Sequence, residues 1–381
     1  MNADARRLVI LAKSRWDPPM RREHALAQTA RAAGLPVLFV ECASDIRTFR
    51  APGRLGWLRR LARAETCSEE PALSVLARST IVPGHRGRLA EAAEARLARL
   101  QLRNCGLGRR DVVLATLPWQ WPLAERLPAG RRVLDVTDDW TALVPGHAAR
   151  IRALYLRAGA SADAVVAASA CSQELFAGRQ VTLVRNGVAA NVLDAPRSAP
   201  PRRRTLAYLG TFSERFDAPL VQALLDRLPD WTIELYGPCA YAGRAGKPAA
   251  ELDALIHRPD RRARWHGPVD PDQIPVVLDG ADVLLLPSRA GFTRGQDSMK
   301  VYDYAARGRP MVLTSAAADG ASELPPGTLV ADDPIALADA VCDGAAEPES
   351  NAAERARWAS QHSWSARWPE WSAALLGSAA L

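Results

Sequence analysis

Short apolar runs recur along the whole chain and alternate with stretches that have the pattern of amphipathic helices. In the first half the runs lie at Arg7–Ala12, Pro36–Glu41, Asp111–Thr116, Arg132–Val136, Asp163–Ala168 and Val181–Val184. They are nearly continuous in Val, Leu and Ile, which is typical of parallel strands covered on both faces. Helix candidates such as Arg21–Ala33 and Arg88–Arg103 lie between them. This alternation predicts an α/β fold with doubly wound parallel sheets.

A Pro- and Arg-rich stretch, Asp194–Arg204, interrupts the alternation and is the best linker candidate. After it the predicted strands are Thr205–Leu209, Thr232–Tyr236, Arg264–His266, Val283–Leu286 and Pro310–Leu313. The predicted helices are Asp217–Arg227, Ala249–His257, Met299–Ala306 and Pro334–Cys342. A chain of 381 residues has room for two or three domains of roughly 100–200 residues. We therefore predict two similar α/β domains, at residues 1–195 and 196–357.

The tail carries Trp358, Trp364, Trp368 and Trp371. The last three are spaced by 4 and then 3 positions, which predicts that they share one face of a helix. We expect a terminal helix, about residues 358–381, to dock through this face onto the protein. A membrane or a partner surface is the alternative.

The charge of the chain is unevenly distributed. The net charge is +7, and the first 110 residues hold 21 Arg and Lys against 10 Asp and Glu. A basic front half suits an anionic partner such as a lipid surface, a phosphate-bearing acceptor or nucleic acid. Only three of the 49 basic residues are lysines, namely Lys13, Lys247 and Lys300, so each is a stronger candidate for a chemical role.

Several function classes lack their sequence signals. The chain has neither the G-x-G-x-x-G of a dinucleotide fold nor a P-loop, so hydride transfer and P-loop phosphate hydrolysis are poorly supported. No stretch approaches the ~18 apolar residues of a membrane span, and the N-terminus lacks a signal peptide's apolar core. The six cysteines form no C-x-x-C pair, which argues against a zinc or redox site. These absences predict a cytoplasmic protein.

In an open parallel sheet, ligands bind at the carboxyl ends of the strands, so the loops that follow strands matter most. The loop after the first strand, Lys13–His24, gathers arginines, Trp16 and His24, which suits a polar or anionic acceptor. A surface or capping role is the alternative for His24. Asp138 and Asp139 end another buried strand and could deprotonate a hydroxyl nucleophile or bind a sugar. Capping of a helix is the alternative for this pair.

The segment Leu284–Val312 is the most informative part of the sequence. A strand runs into a loop and then into a short helix whose first turn carries Ser298 and Lys300. Helix N-termini present free N–H groups and the positive end of the helix dipole, which suits a diphosphate. Asp303, about one turn further on, lies on the same face and could accept hydrogen bonds from ribose hydroxyls.

These motifs resemble those of GT-B glycosyltransferases, most closely the bacterial group 1, family 4-like enzymes that build surface polysaccharides or decorate natural products. The resemblance rests on Asn186-Gly-Val188, on Tyr208-Leu-Gly210 and on Met299-Lys-Val-Tyr-Asp-Tyr-Ala-Ala-Arg-Gly-Arg-Pro310. It covers most of the chain, including a Ser363-Trp364 tail that crosses back to the first domain in such enzymes. It implies two Rossmann-like domains facing across a cleft.

The resemblance also implies an activity: metal-independent, cofactor-free transfer of a sugar from a nucleoside diphosphate, UDP rather than GDP, to a hydroxyl acceptor. The implied donor-binding residues are Gly210, Arg215, Met299, Lys300 and Asp303. Lys300 is implied at the diphosphate, and Asp303 stands where the family has a ribose-binding Glu. We expect the acceptor past Arg22, His24 and the loop after Trp119, with Asp138 or Asp139 as the base if the reaction inverts. A glycan, a lipid-linked intermediate or a small molecule would serve as acceptor, and nucleic acid is not expected.

Two departures from the family leave the stereochemistry open. Gly295 stands where family-4 enzymes usually carry a second Glu near the sugar, and Thr211 where they tend to carry a basic residue. The Met299-Lys300 pair is similar instead to the inverting xanthan glucuronosyltransferases. A non-catalytic nucleotide-sugar-binding subunit and a GT-B nucleotide-sugar 2-epimerase remain alternatives. The basic segment Arg47–Arg63 leaves a peripheral contact with an anionic membrane open, beside a solvated loop and helix.

Overall fold

The computed structural model describes residues 6–17, 19–45, 53–82, 84–176, 178–198, 203–244, 246–292, 296–320 and 323–377. The chain divides into two compact units. The first contains residues 1–185 and 367–381, and the second contains residues 186–366. Each unit is built around its own β-sheet.

The first unit is a sheet with helices between its strands. Its elements are β1 (Leu8–Leu11), α1 (Arg22–Ala32), β2 (Val37–Val40), α2 (Gly53–Ala62), β3 (Glu65–Glu70), β4 (Leu73–Ala77), α3 (Arg88–Leu102), β5 (Val112–Ala115), α4 (Trp121–Ala124), β6 (Arg131–Val136), α5 (Trp140–Leu143), α6 (Ala148–Ser161), β7 (Ala164–Ala167) and β8 (Thr182–Leu183). The strand order is β3-β4-β2-β1-β5-β6-β7-β8. Every pair is parallel except β3 and β4, which are antiparallel.

The second unit repeats this plan. Its elements are α7 (Ala190–Leu193), β9 (Thr205–Leu209), α8 (Ala218–Arg227), β10 (Thr232–Tyr236), α9 (Ala250–Ile256), β11 (Ala263–Gly267), α10 (Ile274–Asp279), β12 (Val283–Leu286), α11 (Met299–Ala306), β13 (Met311–Leu313), α12 (Ser315–Ala318), β14 (Leu329–Val330), α13 (Pro334–Ala345) and α14 (Glu349–Gln361). The order of this all-parallel sheet is β11-β10-β9-β12-β13-β14. The two mostly parallel sheets with interspersed helices confirm the predicted α/β class.

Local hydrophobic pattern explains most of these strands. All four residues of β1, β2 and β5 are buried, as expected for central strands with helices on both faces. The β3–β4 hairpin was not predicted, because β3 reads Glu-Thr-Cys-Ser-Glu-Glu and buries none of its residues. This strand lies at the edge of the sheet, where one side of the ladder needs no partner and charged residues are tolerated.

The tail departs from the single helix that was predicted. α14 ends at Gln361, after which Val188 donates its N–H to the carbonyl of His362, and Trp364 donates to the carbonyl of Val188. A further helix, α15 (Trp368–Leu376), then packs in the first unit against β5, β6 and β7. Because the chain leaves the helix to form this bridge, Trp364 does not share a helical face with Trp368 and Trp371; that prediction was wrong.

The second unit begins at Asn186, before the linker from which the domain boundary was predicted. The Asn186 backbone N–H donates to Asp297 Oδ2 over 2.6 Å, and its side-chain amide donates to the Asp297 carbonyl over 2.6 Å. These contacts attach the segment before the linker to the loop that precedes α11 in the second unit.

Candidate active site

Helix α11 carries the cluster of polar residues that the sequence singled out in the second half. Ser298 precedes the helix in an extended conformation, and Met299 and Lys300 form its first turn. The N–H groups of a first turn have no partner inside the helix and point toward whatever lies beyond its end. Lys300 and Asp303 are separated by three positions and therefore lie on the same side of α11.

Lys300 extends alongside the end of β9. A Cβ placed on Gly210 would overlap Lys300 Cε and would lie 2.9 Å from Nζ. The Lys300 ammonium also lies 5.7 Å from the centroid of the Tyr208 ring. A side chain at position 210 would therefore displace the Lys300 side chain or the Tyr208 hydroxyl.

The end of β9, beside Lys300, is held in place by contacts with α11 and with the backbone after β10. The Leu209 N–H donates to the Tyr304 hydroxyl over 3.0 Å, which ties α11 to β9. A Cβ on Gly237 would overlap the carbonyl oxygen of Gly210. The backbone just after β10 therefore packs directly against the backbone just after β9. This packing restricts where the Lys300 ammonium can lie.

Burial shifts the pKa values of both Lys300 and Asp303. It lowers the pKa of Lys300 to about 8, with repulsion from Arg215 adding to the shift and attraction to Asp303 opposing it. Burial also raises the pKa of Asp303 to about 7, against the opposing charge of Lys300. Both charged forms are therefore costly without a ligand, and a diphosphate beside Lys300 would favour its protonated form.

Arg215 lies near Lys300 and belongs to the loop after β9. Its Nη1 donates to the Gln296 side-chain carbonyl over 2.9 Å, and its own carbonyl accepts from the Arg289 N–H over 2.7 Å. The structure thus brings together four of the five predicted residues, Gly210, Arg215, Lys300 and Asp303. Met299 is half-buried in the same turn of α11 as Lys300.

The sequence analysis did not single out Asp297, which holds the segment before α11 in place. Asp297 accepts a 2.9 Å hydrogen bond from the Tyr302 hydroxyl, in addition to its contacts with Asn186. A Cβ on Gly320 would overlap the carbonyl of Gln296, so another segment also packs closely here. An Asp next to the start of the predicted helix was the available signal in the sequence, but its partner Asn186 is 111 positions away.

Gly210→Ala is expected to reduce activity through Lys300. The added methyl group overlaps Lys300 Cε and forces the ammonium away from the end of β9. Displacing a charged group by about an ångström can cost roughly 10²-fold in rate. We expect kcat/KM to fall to that extent while the circular dichroism spectrum is retained.

Gly108→Ala is the matched control, since a Cβ there would meet no atom within 4 Å. It should leave kcat/KM unchanged. Wild-type kinetics in Gly210→Ala would contradict the role assigned to the Lys300 position.

In the first unit, the carboxyl ends of β1 and β6 place Lys13 beside Asp138. Lys13 Nζ lies 3.3 Å from Asp138 Oδ2 and donates to Thr137 Oγ1 over 2.7 Å. Thr137 Oγ1 in turn donates to Asp138 Oδ2 over 2.9 Å. The neighbouring Asp139 has a different role, because its Oδ1 accepts from the Thr141 N–H over 2.9 Å and caps α5.

Arg22 and His24 are both enclosed by protein. The Arg22 guanidinium forms a paired contact with Asp135, at 2.9 Å from Nε to Oδ2 and 3.1 Å from Nη2 to Oδ1. It also donates to the Val184 carbonyl over 2.7 Å and lies 4.9 Å from the Trp371 ring. Arg22 is only 3% exposed, so it positions the ends of β6 and β8 and does not present a free surface.

His24 is fully buried on α1 and caps the helix, which was the alternative reading of this residue. Its Nδ1 accepts from the Arg21 N–H over 2.9 Å, and its Nε2 lies 2.7 Å from the Arg15 carbonyl. These two contacts require the neutral tautomer with the proton on Nε2. Burial lowers the pKa of His24, which agrees with a neutral ring.

Trp119 lies in the loop after β5 and is half-buried. Its ring packs edge-on against Trp140, with centroids 5.2 Å apart. Gln120 fixes this loop: its side chain accepts from the N–H groups of Thr116 and Leu117 and donates to the Ala12 carbonyl over 2.9 Å. Trp119 therefore lies at the same sheet edge as Asp138.

Some expectations fall outside the described residues. Gly295 is among them, as are residues 47–52 of the basic segment. Within the described ranges, no group of three or more His, Cys, Asp or Glu is placed to hold a metal ion. No helix in that part of the chain is both long and apolar enough to cross a membrane.

Residues 203–346 match the model of the family Glycosyl transferases group 1. This segment is therefore similar to the group 1 glycosyl transferases. It contains all five residues that were predicted to bind the donor. No curated protein matches the sequence.

Solved structures share the fold of the whole chain. Sucrose-phosphate synthase from Thermosynechococcus elongatus is 15% identical over 96% of this chain and 98% of its own, with a TM-score of 0.70. Alpha,alpha-trehalose 6-phosphate synthase from Burkholderia multivorans is 14% identical over 99% of both chains, with a TM-score of 0.64. Anabaena HepE, solved with UDP-glucose, is 18% identical over 95% of this chain and 96% of its own, with a TM-score of 0.64. These likenesses show that the chain has the GT-B fold that the sequence predicted.

Proposed function

We propose that the protein is a glycosyltransferase that moves a sugar from a nucleoside diphosphate sugar, with UDP favoured, to a hydroxyl acceptor. The observation that carries this proposal is the α11 cluster of Lys300, Asp303 and Gly210 within the matched segment. UDP is favoured because Anabaena HepE, which shares the fold, was solved with UDP-glucose. We extend the proposal to metal-independent transfer, with the positive charges of this chain acting on the diphosphate.

In the proposed donor site, Lys300 and the first turn of α11 bind the diphosphate. The ammonium and the free N–H groups would offset the negative charge that develops on the leaving group. Arg215 adds a second positive charge near Lys300. Asp303 accepts hydrogen bonds from the ribose hydroxyls, and Met299 contacts the nucleotide.

In the proposed acceptor site, Asp138 is the base. It takes the proton of the acceptor hydroxyl while the hydroxyl oxygen attacks the anomeric carbon and the bond to the diphosphate breaks. Trp119 contacts the acceptor, since it lies at the same edge of the first sheet as Asp138. Arg22 and His24 act indirectly in this proposal, because both are buried against protein groups.

The proposal is tested by binding and product analysis together. The purified chain is titrated with UDP, GDP, dTDP and ADP by calorimetry, and then incubated with the matching sugar nucleotides and a panel of hydroxyl acceptors. We expect selective binding of one nucleoside diphosphate and a glycosylated product in the mass spectrum. Binding without turnover would favour a non-catalytic subunit, and an isomerised sugar would favour a 2-epimerase. Failure to bind any of the four nucleotides would overturn the donor site.

We also propose peripheral contact of α2 with an anionic membrane, which would suit a lipid-linked acceptor. Leu58 is 52% exposed, and Arg59 beside it is exposed as well. Trp57 is half-buried, and its indole N–H donates to the Ser44 carbonyl over 3.3 Å, which holds this face of the helix in place. An apolar residue among cations is typical of helices that lie in the membrane interface.

We expect Leu58→Glu to weaken binding to vesicles that contain phosphatidylglycerol, as measured by co-sedimentation. Leu156→Glu is the matched control, since Leu156 is 55% exposed on α6. Equal sedimentation of wild type with phosphatidylglycerol and phosphatidylcholine vesicles, or none with either, would contradict an anionic membrane contact.

A further inference from the structure

Lys13 is one of three lysines in a chain with 49 basic residues. It follows β1, whereas Thr137 and Asp138 follow β6, and β5 lies between these two strands in the sheet. The three strands are parallel, so their carboxyl ends meet at the same edge. Lys13 and Asp138 come together there although they are 125 positions apart in the chain.

We propose that Lys13 is a positioning residue that holds the Asp138 carboxylate oriented and ionised for abstraction of the acceptor's proton. The inference rests on the proposed function and assigns Lys13 a part in it. Lys13 itself transfers no proton. The acceptor O–H bond breaks, its proton goes to Asp138, and the hydroxyl oxygen forms the bond to the anomeric carbon as the diphosphate leaves with its electron pair.

The contacts of Lys13 form a closed triangle. Its ammonium donates to Thr137 Oγ1 over 2.7 Å and lies 3.3 Å from Asp138 Oδ2, and the Thr137 hydroxyl donates to the same Oδ2 over 2.9 Å. The side chains of Lys13 and Asp138 are 16% and 18% exposed. A partly buried ion pair of this kind is less screened by solvent than a surface pair.

Two further groups among the described residues, Asp139 and Tyr155, lie close to Asp138. Asp139 adds a negative charge next to it, although that carboxylate is bound at the N-terminus of α5. The Tyr155 hydroxyl donates to the Asp138 carbonyl over 3.1 Å, and burial raises the pKa of that hydroxyl, so it stays neutral. A nearby carboxylate disfavours ionisation of Asp138, and the Lys13 ammonium favours it.

The residue type fits this role. An ammonium is a compact charge with three donors, and it can bind the Thr137 hydroxyl and the Asp138 carboxylate at once. A planar guanidinium is larger and presents its donors in a fixed fork, so it would bind Thr137 and Asp138 with a different arrangement of the three side chains. In a chain that otherwise uses arginine, a lysine at this position is consistent with a requirement for that geometry.

The test titrates Asp138 directly and measures turnover in parallel. Carboxyl ¹³C-labelled aspartate is incorporated, and the Asp138 signal is assigned by its loss in Asp138→Asn. We expect Lys13→Met to move the midpoint of this signal upward by about one pH unit or more. Lys13→Arg should retain most of the wild-type midpoint, and Lys247→Met, at an exposed lysine, should retain all of it.

Turnover is followed as UDP release from the UDP-sugar identified by calorimetry, with wild type and Lys13→Met compared from pH 5 to 9. We expect the acid side of the kcat profile of Lys13→Met to move upward by the same number of pH units as the Asp138 midpoint, so that kcat is reduced most at pH 5 and approaches the wild-type value at pH 8, with an unchanged Kd for UDP. An unshifted Asp138 midpoint, or a shifted midpoint with wild-type kcat at every pH, would overturn the proposal. Failure of wild type to bind or turn over any sugar nucleotide would overturn the proposed function, while the carboxyl titration would still decide whether Lys13 controls Asp138.

Discussion

Lys300→Met is expected to lower kcat/KM by roughly 10²–10³-fold, the loss typical of removing one preorganised group that stabilises developing negative charge. The variant should also lose most of its calorimetric binding of UDP. Met retains the length and apolar stem of the side chain beside Gly210 and Tyr208, so the change removes the charge and little of the packing. Lys247→Met is the matched control and should leave both measurements unchanged, because Lys247 is exposed in a loop of the same unit.

The fold should survive the loss of Lys300. Burial lowers the pKa of this lysine from its ordinary value of 10.5 to about 8. The unfolded chain therefore binds the proton more tightly than the folded chain, so the charged ammonium opposes folding at pH 7. Differential scanning calorimetry at pH 7 should show an unchanged or raised Tm for Lys300→Met.

The same pKa predicts how donor binding depends on pH. The wild-type affinity for UDP should decrease as the pH rises through about 8, because Lys300 loses its proton there. Lys300→Met should lose this dependence. Wild-type turnover in Lys300→Met, or a wild-type affinity for UDP that stays constant from pH 7 to 9.5, would contradict the assignment of Lys300 to the diphosphate.

Asp138→Asn is expected to reduce kcat by about 10²–10⁴-fold, the usual contribution of a general base. Asp139→Asn should retain most of the activity. Asp139 caps α5 by accepting from the Thr141 N–H, and an asparagine side-chain carbonyl caps a helix about as well as a carboxylate. The two variants remove the same charge one position apart, so each is the control for the other.

Kinetics with the donor and acceptor found by the product screen decide between the two residues. Loss of turnover in Asp139→Asn with a retained Tm, and full turnover in Asp138→Asn, would reverse the assignment. Full turnover in both variants would remove both carboxylates as bases and would favour a retaining reaction in which neither takes the proton.

The predicted strands were largely correct because the signal for them is local. Buried parallel strands read as continuous apolar runs, and β1, β2 and β5 follow that pattern directly. The edge strand β3 was missed for the same reason, since a strand at the rim of a sheet needs no apolar run. The tail prediction failed because spacing alone did not reveal that Trp364 pairs with Val188 outside any helix.

The candidate site was found in part. The start of α11 is visible in the sequence as Ser298 followed by a helical pattern, and the resemblance indicated Lys300 and Asp303. The sequence does not distinguish the roles of Asp138 and Asp139, because they are adjacent residues of the same type after one predicted strand. They differ in the structure because one faces Lys13 and the other binds the N-terminus of α5. Arg22 was predicted to contact the acceptor because it follows a strand, but Asp135 and Trp371 enclose it.

The sequence by itself therefore determined the α/β class, the division into two similar halves and the helix that carries Lys300. Each of these depends on periodicity and capping within a few consecutive residues, which a linear pattern contains. Only the tertiary structure decided which side chains meet, such as Lys13 with Asp138, Arg22 with Asp135 and Asp297 with Asn186. These partners are more than 100 positions apart, and their meeting depends on strand order and on backbone approach at Gly210 and Gly237, which local hydrophobic pattern does not encode.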